Sequence, residues 1–246
     1  MRITTSNDLK DKLIVSGDGV FASFQGEGST IGRPAVFLRL QLCNLHCRWC
    51  DTYYTWDKNS PDYLKEQKLW TIKETVSEIK KAWKKKFFES KGKRLVITGG
   101  EPLIQQEKLI KLVSLLSDWE IEIETNGTIK THNPLKNRCQ FNVSPKLDNS
   151  GNSVEIRYSQ ETLSDFSNLD NSWFKFVVVT PDDFNEIDQI VTQCCIPTER
   201  VIIMAEGNEE AIVKRNMIRL LLEIKKRGFR ILPRLQLILF GPKRRT

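Results

Sequence analysis

The chain of 246 residues is poor in histidine, with two (His46 and His132), and its apolar runs are short. No stretch approaches the roughly 18 apolar residues that cross a bilayer, which excludes a helical membrane protein. Residues 1–10 are polar and lack the charged, apolar and small-residue order of a secretory leader, so a cytoplasmic location is expected. There is no internal repeat and no low-complexity tract, and 39% hydrophobic with 28% charged residues excludes disorder. Disulfide architecture is excluded by distribution. Of six cysteines, Cys43, Cys47 and Cys50 crowd into eight residues while Cys139, Cys194 and Cys195 are scattered, a pattern of metal binding.

The net charge is +7, concentrated in 80–94 and 225–245. Lys80, Lys81, Lys84, Lys85 and Lys86 share their segment with Ile72, Val76, Ile79, Trp83 and Phe87, spaced as one helix face, so the charge reads as a solvated outer face. Stacking aromatics are not interleaved with it, and direct nucleic-acid binding is not expected.

Apolar strand-like runs fall at 36–42, 95–98, 120–124, 140–143, 173–179 and 201–204, with helical patterns at 72–88, 104–116, 184–191 and 209–226. Alternating strands and helices predict one α/β domain over 1–246 with a parallel sheet, either doubly wound or curled into a full or partial barrel; six strands with irregular crossovers point to a modified, incomplete (β/α)6 barrel. The Asn-, Asp- and Ser-rich run 147–172 is expected to be a long loop or lid, and 53–69 irregular.

Polar groups follow the strands in order. Cys43 follows the first, Gly99-Gly100-Glu101-Pro102 the second, Glu124-Thr125-Asn126-Gly127 ends the third, and Ser144-Pro145-Lys146 follows the fourth. Ligands of parallel α/β folds bind at the carboxyl ends of strands, so these groups should converge on one face. Side-chain alternation along 36–43 puts Arg39, Gln41 and Cys43 on one face and Val36, Leu38 and Leu40 on the other.

Three cysteines spaced C-x3-C-x2-C can grip one metal centre. Structural zinc would need a distant fourth ligand. An iron-sulfur cube normally takes four thiolates, so three leave one iron open. The C-x3-C-x-aromatic-C pattern, with Trp49 as the aromatic, resembles the signature of the radical S-adenosylmethionine (SAM) superfamily. That resemblance implies a 4Fe-4S cluster on Cys43, Cys47 and Cys50 whose open iron binds SAM and whose electron cleaves it to a 5'-deoxyadenosyl radical. It also implies cofactor contacts by Gly99, Gly100 and Glu101, and by Glu124, Thr125, Asn126, Ser144 and Lys146.

Phe24-Gln25-Gly26-Glu27-Gly28, the run from Arg33 to Arg39, Cys43-Asn44-Leu45 and Cys50-Asp51-Thr52 together resemble the 7-carboxy-7-deazaguanine synthase family. The resemblance implies a lyase that contracts 6-carboxy-5,6,7,8-tetrahydropterin to 7-carboxy-7-deazaguanine with loss of ammonia, for queuosine and related 7-deazapurines. It further implies pterin contacts by Gln25 and Glu27, a carboxylate clamp at Arg39, Mg2+ at Thr52, an electron donor such as flavodoxin or ferredoxin, and a homodimer. Leu232-Pro233-Arg234-Leu235-Gln236 resembles the family's terminal strand, with Gln236 where many members carry His and Phe240 where many carry Trp. Two other readings share features of the sequence: an activase that installs a glycyl radical on a partner protein, and a non-catalytic zinc or nucleic-acid-binding module.

Overall fold

The computed structural model describes residues 11–87 and 91–243. Nine strands form one sheet in the order β3-β1-β2-β4-β5-β6-β7-β8-β9. From β2 (Pro34–Leu40) through β4 (Arg94–Gly99), β5 (Glu120–Thr125), β6 (Gln140–Val143), β7 (Ser172–Val178), β8 (Val201–Ala205) and β9 (Arg230–Ile231) every pairing is parallel. From β2 to β9 the order in space follows the order in sequence, the winding of a barrel, and among the described residues β3 and β9 are the edge strands. The six expected strands are β2 and β4–β8, so the incomplete barrel stands.

Three strands were illegible. β1 (Lys12–Phe24) pairs antiparallel with β2 and with β3 (Gln67–Thr71). Its alternation is interrupted by Gly17 and Gly19, at φ of 64° and 72°, and its register against β2 shifts between Val15 and Val20. Such a bulge breaks the period-2 signal. β9 is two residues long, too short to leave one.

The main core lies between the sheet and the helices outside it. Val36, Leu38 and Leu40 of β2 pack there with Ile72, Ile79 and Trp83 of α2 (Ile72–Phe87; α1 is Pro61–Glu66), while the six lysines of α2 are solvated. The end of the helix predicted over 72–88 lies outside the described residues. α3 (Gln106–Ser114) begins later than the apolar pattern, because residues from Pro102 to Gln105 form a 3-10 turn.

The polar run 147–172 is not a long loop. It carries a 3-10 turn and, after the short α4 (Asn133–Lys136), the helices α5 (Val154–Arg157) and α6 (Gln160–Ser167). Ser159 caps α6 by accepting the Thr162 amide at 3.3 Å, and Leu163 and Phe166 enter the core. The helix is amphipathic over two turns, too short to show against a polar background. Likewise 53–69 holds a 3-10 turn, α1 and most of β3. α7 (Asp183–Gln193) and α8 (Glu210–Arg227) fall where expected.

The supposed terminal strand is not one. Pro233 has no N–H for a ladder, the Leu235 amide bonds the Gly26 carbonyl at 3.0 Å, and Leu235–Phe240 forms α9. Among the described residues no helix is long and apolar enough to cross a membrane.

Candidate active site

A cavity of about 410 Å³ opens at the carboxyl ends of the parallel strands. Fourteen of the fifteen residues singled out from the sequence line it: Gln25, Glu27, Arg39, Cys43, Cys47, Cys50, Thr52, Gly99, Gly100, Glu124, Asn126, Ser144, Lys146 and Gln236. Thr125 lines it as well.

At one side lies the cysteine loop. Leu42, at φ +79°, turns the chain out of β2. Gln41 therefore leaves the face shared by Phe37 and Arg39, and its buried amide donates instead to the Tyr54 and Tyr63 carbonyls at 3.0 and 3.1 Å. Each clustered sulfur receives one N–H: Cys43 Sγ from the Leu45 amide at 3.4 Å, Cys47 Sγ from Asn152 Nδ2 at 3.4 Å, and Cys50 Sγ from Trp56 Nε1 at 3.3 Å. Thr52 Oγ1 stands 3.5 Å from Cys50 Sγ. Burial pushes the Cys43 thiol up to about 12 and raises that of Cys47; the donated N–H groups oppose this.

The paired glycines serve this loop directly. A Cβ on Gly99 would lie 2.1 Å from the Leu40 carbonyl oxygen, and one on Gly100 2.0 Å from that of Leu42. Their amide-side partners follow: Gly100 N–H bonds Leu40 O at 3.1 Å and Glu101 N–H bonds Leu42 O at 2.7 Å. Only residues without a side chain let β4's end press so closely on β2's. Glu101 is fully buried and does not line the cavity. Its carboxylate accepts from the Leu103 amide at 2.9 Å, Thr125 Oγ1 at 2.9 Å and the Asn126 amide at 2.7 Å. Asn126 in turn donates to Asn44 Oδ1 at 2.9 Å, so the ends of β4 and β5 are tied to the cysteine loop. Lys146 lies over the Trp49 ring, 5.8 Å from its centroid, and donates to Ser144 O and Oγ at 2.6 and 2.8 Å. Burial lowers its pKa.

The opposite side and floor are built of carboxylates and cations from distant parts of the chain. Glu27 Oε2 meets Lys175 Nζ at 2.5 Å, and Oε1 accepts from Gln236 Nε2 at 2.7 Å and Arg234 Nε at 3.2 Å. Burial opposes the charge, yet Lys175 and Arg234 hold this carboxyl far below the usual range. Arg234 also bridges to Asp51, beside the third cysteine, and donates to Gly207 O at 2.8 Å. Gln25, 2% exposed, donates through Nε2 to Glu122 Oε1 at 2.5 Å and Glu124 Oε1 at 3.2 Å. Arg39 differs from all of these. Its guanidinium lies 5.6 Å from the Phe21 ring centroid, its Nε is buried without a partner, and among the described residues it has no hydrogen bond or ion pair.

Lys175, Arg234, Glu122 and Asp51 were not singled out from the sequence. A lysine inside the apolar run of β7 and the alternation Glu120-Ile121-Glu122-Ile123-Glu124, which puts three carboxylates on one strand face, were signals available there.

The donor set fits a group that takes three thiolates. Among the described residues no three His, Cys, Asp or Glu side chains gather as ligands of a single ion, and Cys139 and Cys194 are buried in the core away from the cavity. A closed zinc site needs four ligands. N–H donors to each sulfur instead suit thiolates of a cluster, whose charge such bonds stabilise.

Comparison with known proteins agrees. The Radical SAM superfamily model matches residues 39–186, and the chain belongs to that superfamily. A crystal structure of QueE from Escherichia coli has the same fold, with a TM-score of 0.65 over 91% of this chain and 94% of that one at 22% identity. Within the superfamily the chain is a member of the 7-carboxy-7-deazaguanine synthase family. It is 36% identical to the enzyme of that name from Pyrobaculum aerophilum, covering 92% of this chain and 94% of that protein, and 30% identical to the one from Halobacterium salinarum, covering 90% and 89%.

Proposed function

We propose that the chain converts 6-carboxy-5,6,7,8-tetrahydropterin to 7-carboxy-7-deazaguanine, a radical ring contraction with loss of ammonia, in 7-deazapurine (queuosine) biosynthesis. The observation that carries the reading to this cavity is Arg39, a guanidinium on the wall with no counter-ion of its own. A planar guanidinium without a partner is poised to take a carboxylate with two hydrogen bonds, and the substrate carries one. Gln25 and Glu27 face the same space and would receive the pterin's polar edge.

Cys43, Cys47 and Cys50 would hold the 4Fe-4S cluster, and Thr52 beside Cys50 would supply an oxygen for Mg2+, which binds through few protein ligands. The cluster and SAM, when bound, supply the one-electron chemistry that starts the reaction. The protein's part is position. Gly99 and Gly100 let the cysteine loop sit against β4, Asn126 fixes that loop through Asn44, and Ser144 and Lys146 line the wall beside it, where SAM would lie. Glu101 acts by holding Thr125 and Asn126. The reading includes a one-electron carrier of the flavodoxin or ferredoxin class, a homodimer and a cytoplasmic setting.

Anaerobic reconstitution followed by mass spectrometry of the pterin reaction, with and without Mg2+, tests the activity. Arg39→Ala should raise KM for the pterin about a hundredfold while SAM binding is unchanged, the loss of a charge-assisted pair being on the order of 3 kcal/mol. An unchanged KM would remove Arg39 from the substrate site.

A further inference from the structure

Beneath the cavity floor is a carboxylate that does not reach the cavity. Glu122 is fully buried and does not line the cavity. It collects five donors from three parts of the chain: Gln25 Nε2 at 2.5 Å and Thr30 Oγ1 at 2.5 Å from beyond β1, Arg94 Nη1 at 3.3 Å from β4, and Gln140 Nε2 at 3.4 Å together with Asn142 Nδ2 from β6. A buried carboxylate is costly and would be replaceable by an apolar side chain if stability were its only use.

Its contact with Gln25 reaches the cavity. The Gln25 amide has two hydrogens. One goes to Glu122 and the other to Glu124, and its Oε1 accepts the Glu27 amide at 3.2 Å. The reverse orientation would set the amide oxygen against two carboxylates. Gln25 therefore has no hydrogen left to donate, and the only bonding capacity it keeps is the second lone pair of its carbonyl oxygen.

We propose that Glu122 is a positioning residue for the substrate: by fixing the Gln25 amide it leaves Gln25 only its carbonyl oxygen to offer the cavity, so that the site selects a ligand edge that places an N–H donor there. The inference rests on the placement of the pterin at Gln25 and Glu27. An exocyclic amine or a ring N–H satisfies that oxygen, whereas a carbonyl or an unprotonated ring nitrogen at the same place leaves two buried acceptors facing each other, the arrangement that discriminates most strongly.

The test is a double-variant cycle on the reconstituted, cluster-loaded enzyme. Glu122→Gln keeps the size of the side chain but allows the Gln25 amide to turn, and should raise KM for the pterin about tenfold, with kcat within about threefold. Gln25→Met should do the same, and the pair should be no worse than either alone. Glu122→Asp, which keeps the charge beside Arg94 but draws it back from Gln25, serves if Glu122→Gln fails to fold, and should give the same rise. Thr30→Val removes another donor from the same carboxylate without touching Gln25; it should lower Tm and leave KM within about threefold. The proposal is overturned by an unchanged KM in the Glu122 variants, by effects that multiply to about a hundredfold in the pair, or by a KM rise in Thr30→Val equal to that of Glu122→Gln. Arg39→Ala in the same assay separates the two readings. If it raises KM and Glu122→Gln does not, this inference alone fails, whereas if neither does, the substrate site itself is misplaced.

Discussion

The two sides of the cavity are built by opposite means. The cysteine loop takes its three sulfurs from eight consecutive residues, and the fold adds one N–H to each and a glycine bed beneath. The other side takes Glu27, Glu122, Lys175 and Arg234 from parts of the chain up to 207 positions apart and joins them by charge. A ligand set for a cluster needs local spacing, because the cluster itself dictates the separation. A polar pocket for a heterocycle needs directions of donors and acceptors, and only packed strands supply those.

The carboxylates sharpen the contrast. Glu27 is half-buried on the cavity wall and Glu122 fully buried beneath it, yet Glu27, between Lys175 and Arg234, is held strongly acidic, whereas Glu122 is raised to about 7. Burial drives the Glu122 shift, the Thr30 bond opposes it, and Glu124 adds repulsion. Arg94 cannot compensate fully, because it is also shared with Glu120.

The comparison breaks most completely at the sulfurs. Cys47→Ala should abolish both the cluster and SAM cleavage, with loss of the brown chromophore and of 5'-deoxyadenosine formation; full turnover would defeat the assignment. Next in size, Lys175→Met leaves Glu27 half-buried with one cation fewer and should cost about 3 kcal/mol, roughly 6–12 °C in Tm for a chain of this length. A shift under 2 °C would show that Arg234 alone neutralises Glu27.

Smaller effects come from pH. An acid whose folded pKa lies above its unfolded value binds protons more tightly when folded, so the Glu122 contribution is fully present below about pH 4.5 and is lost as pH rises toward 7. For Glu27 the sign is opposite: its contribution is present above its unfolded pKa and declines as pH falls through the acid range. Urea unfolding between pH 4.5 and 7.5 should therefore show a decline that Glu122→Gln flattens, and an unaltered slope would reject the assignment to Glu122. Last, Asn152→Ala removes the N–H from Cys47 Sγ. It should lower the cluster potential by tens of millivolts, about 59 mV corresponding to a tenfold change for one electron, as read by a potentiometric EPR titration.

Much of this site was legible early because its chemistry is local or periodic. The cysteine spacing, the glycine turn after β4 and the strand-end polar groups were all readable, and so were the six central strands, some as continuous apolar runs covered on both faces, such as β8, and some as strict alternation, such as β5. What escaped has a common cause. β1 is bent by glycines at positive φ, α6 is two turns long in a polar run, and the segment after Pro233 turns helical where a strand was expected. None of these leaves a sustained period in the sequence.

The amino-acid order alone determined that three thiols lie within reach of one cluster and that polar groups end successive parallel strands, since both follow from spacing along a single segment. Only the tertiary structure decided that Arg39 stands without a counter-ion while Glu27 has two, that Glu101 supports the wall rather than forming it, and that Gln25 has spent its hydrogens on Glu122 and Glu124. Those facts depend on which side chains meet across the barrel, and a hydrogen bond's direction is fixed by both partners at once.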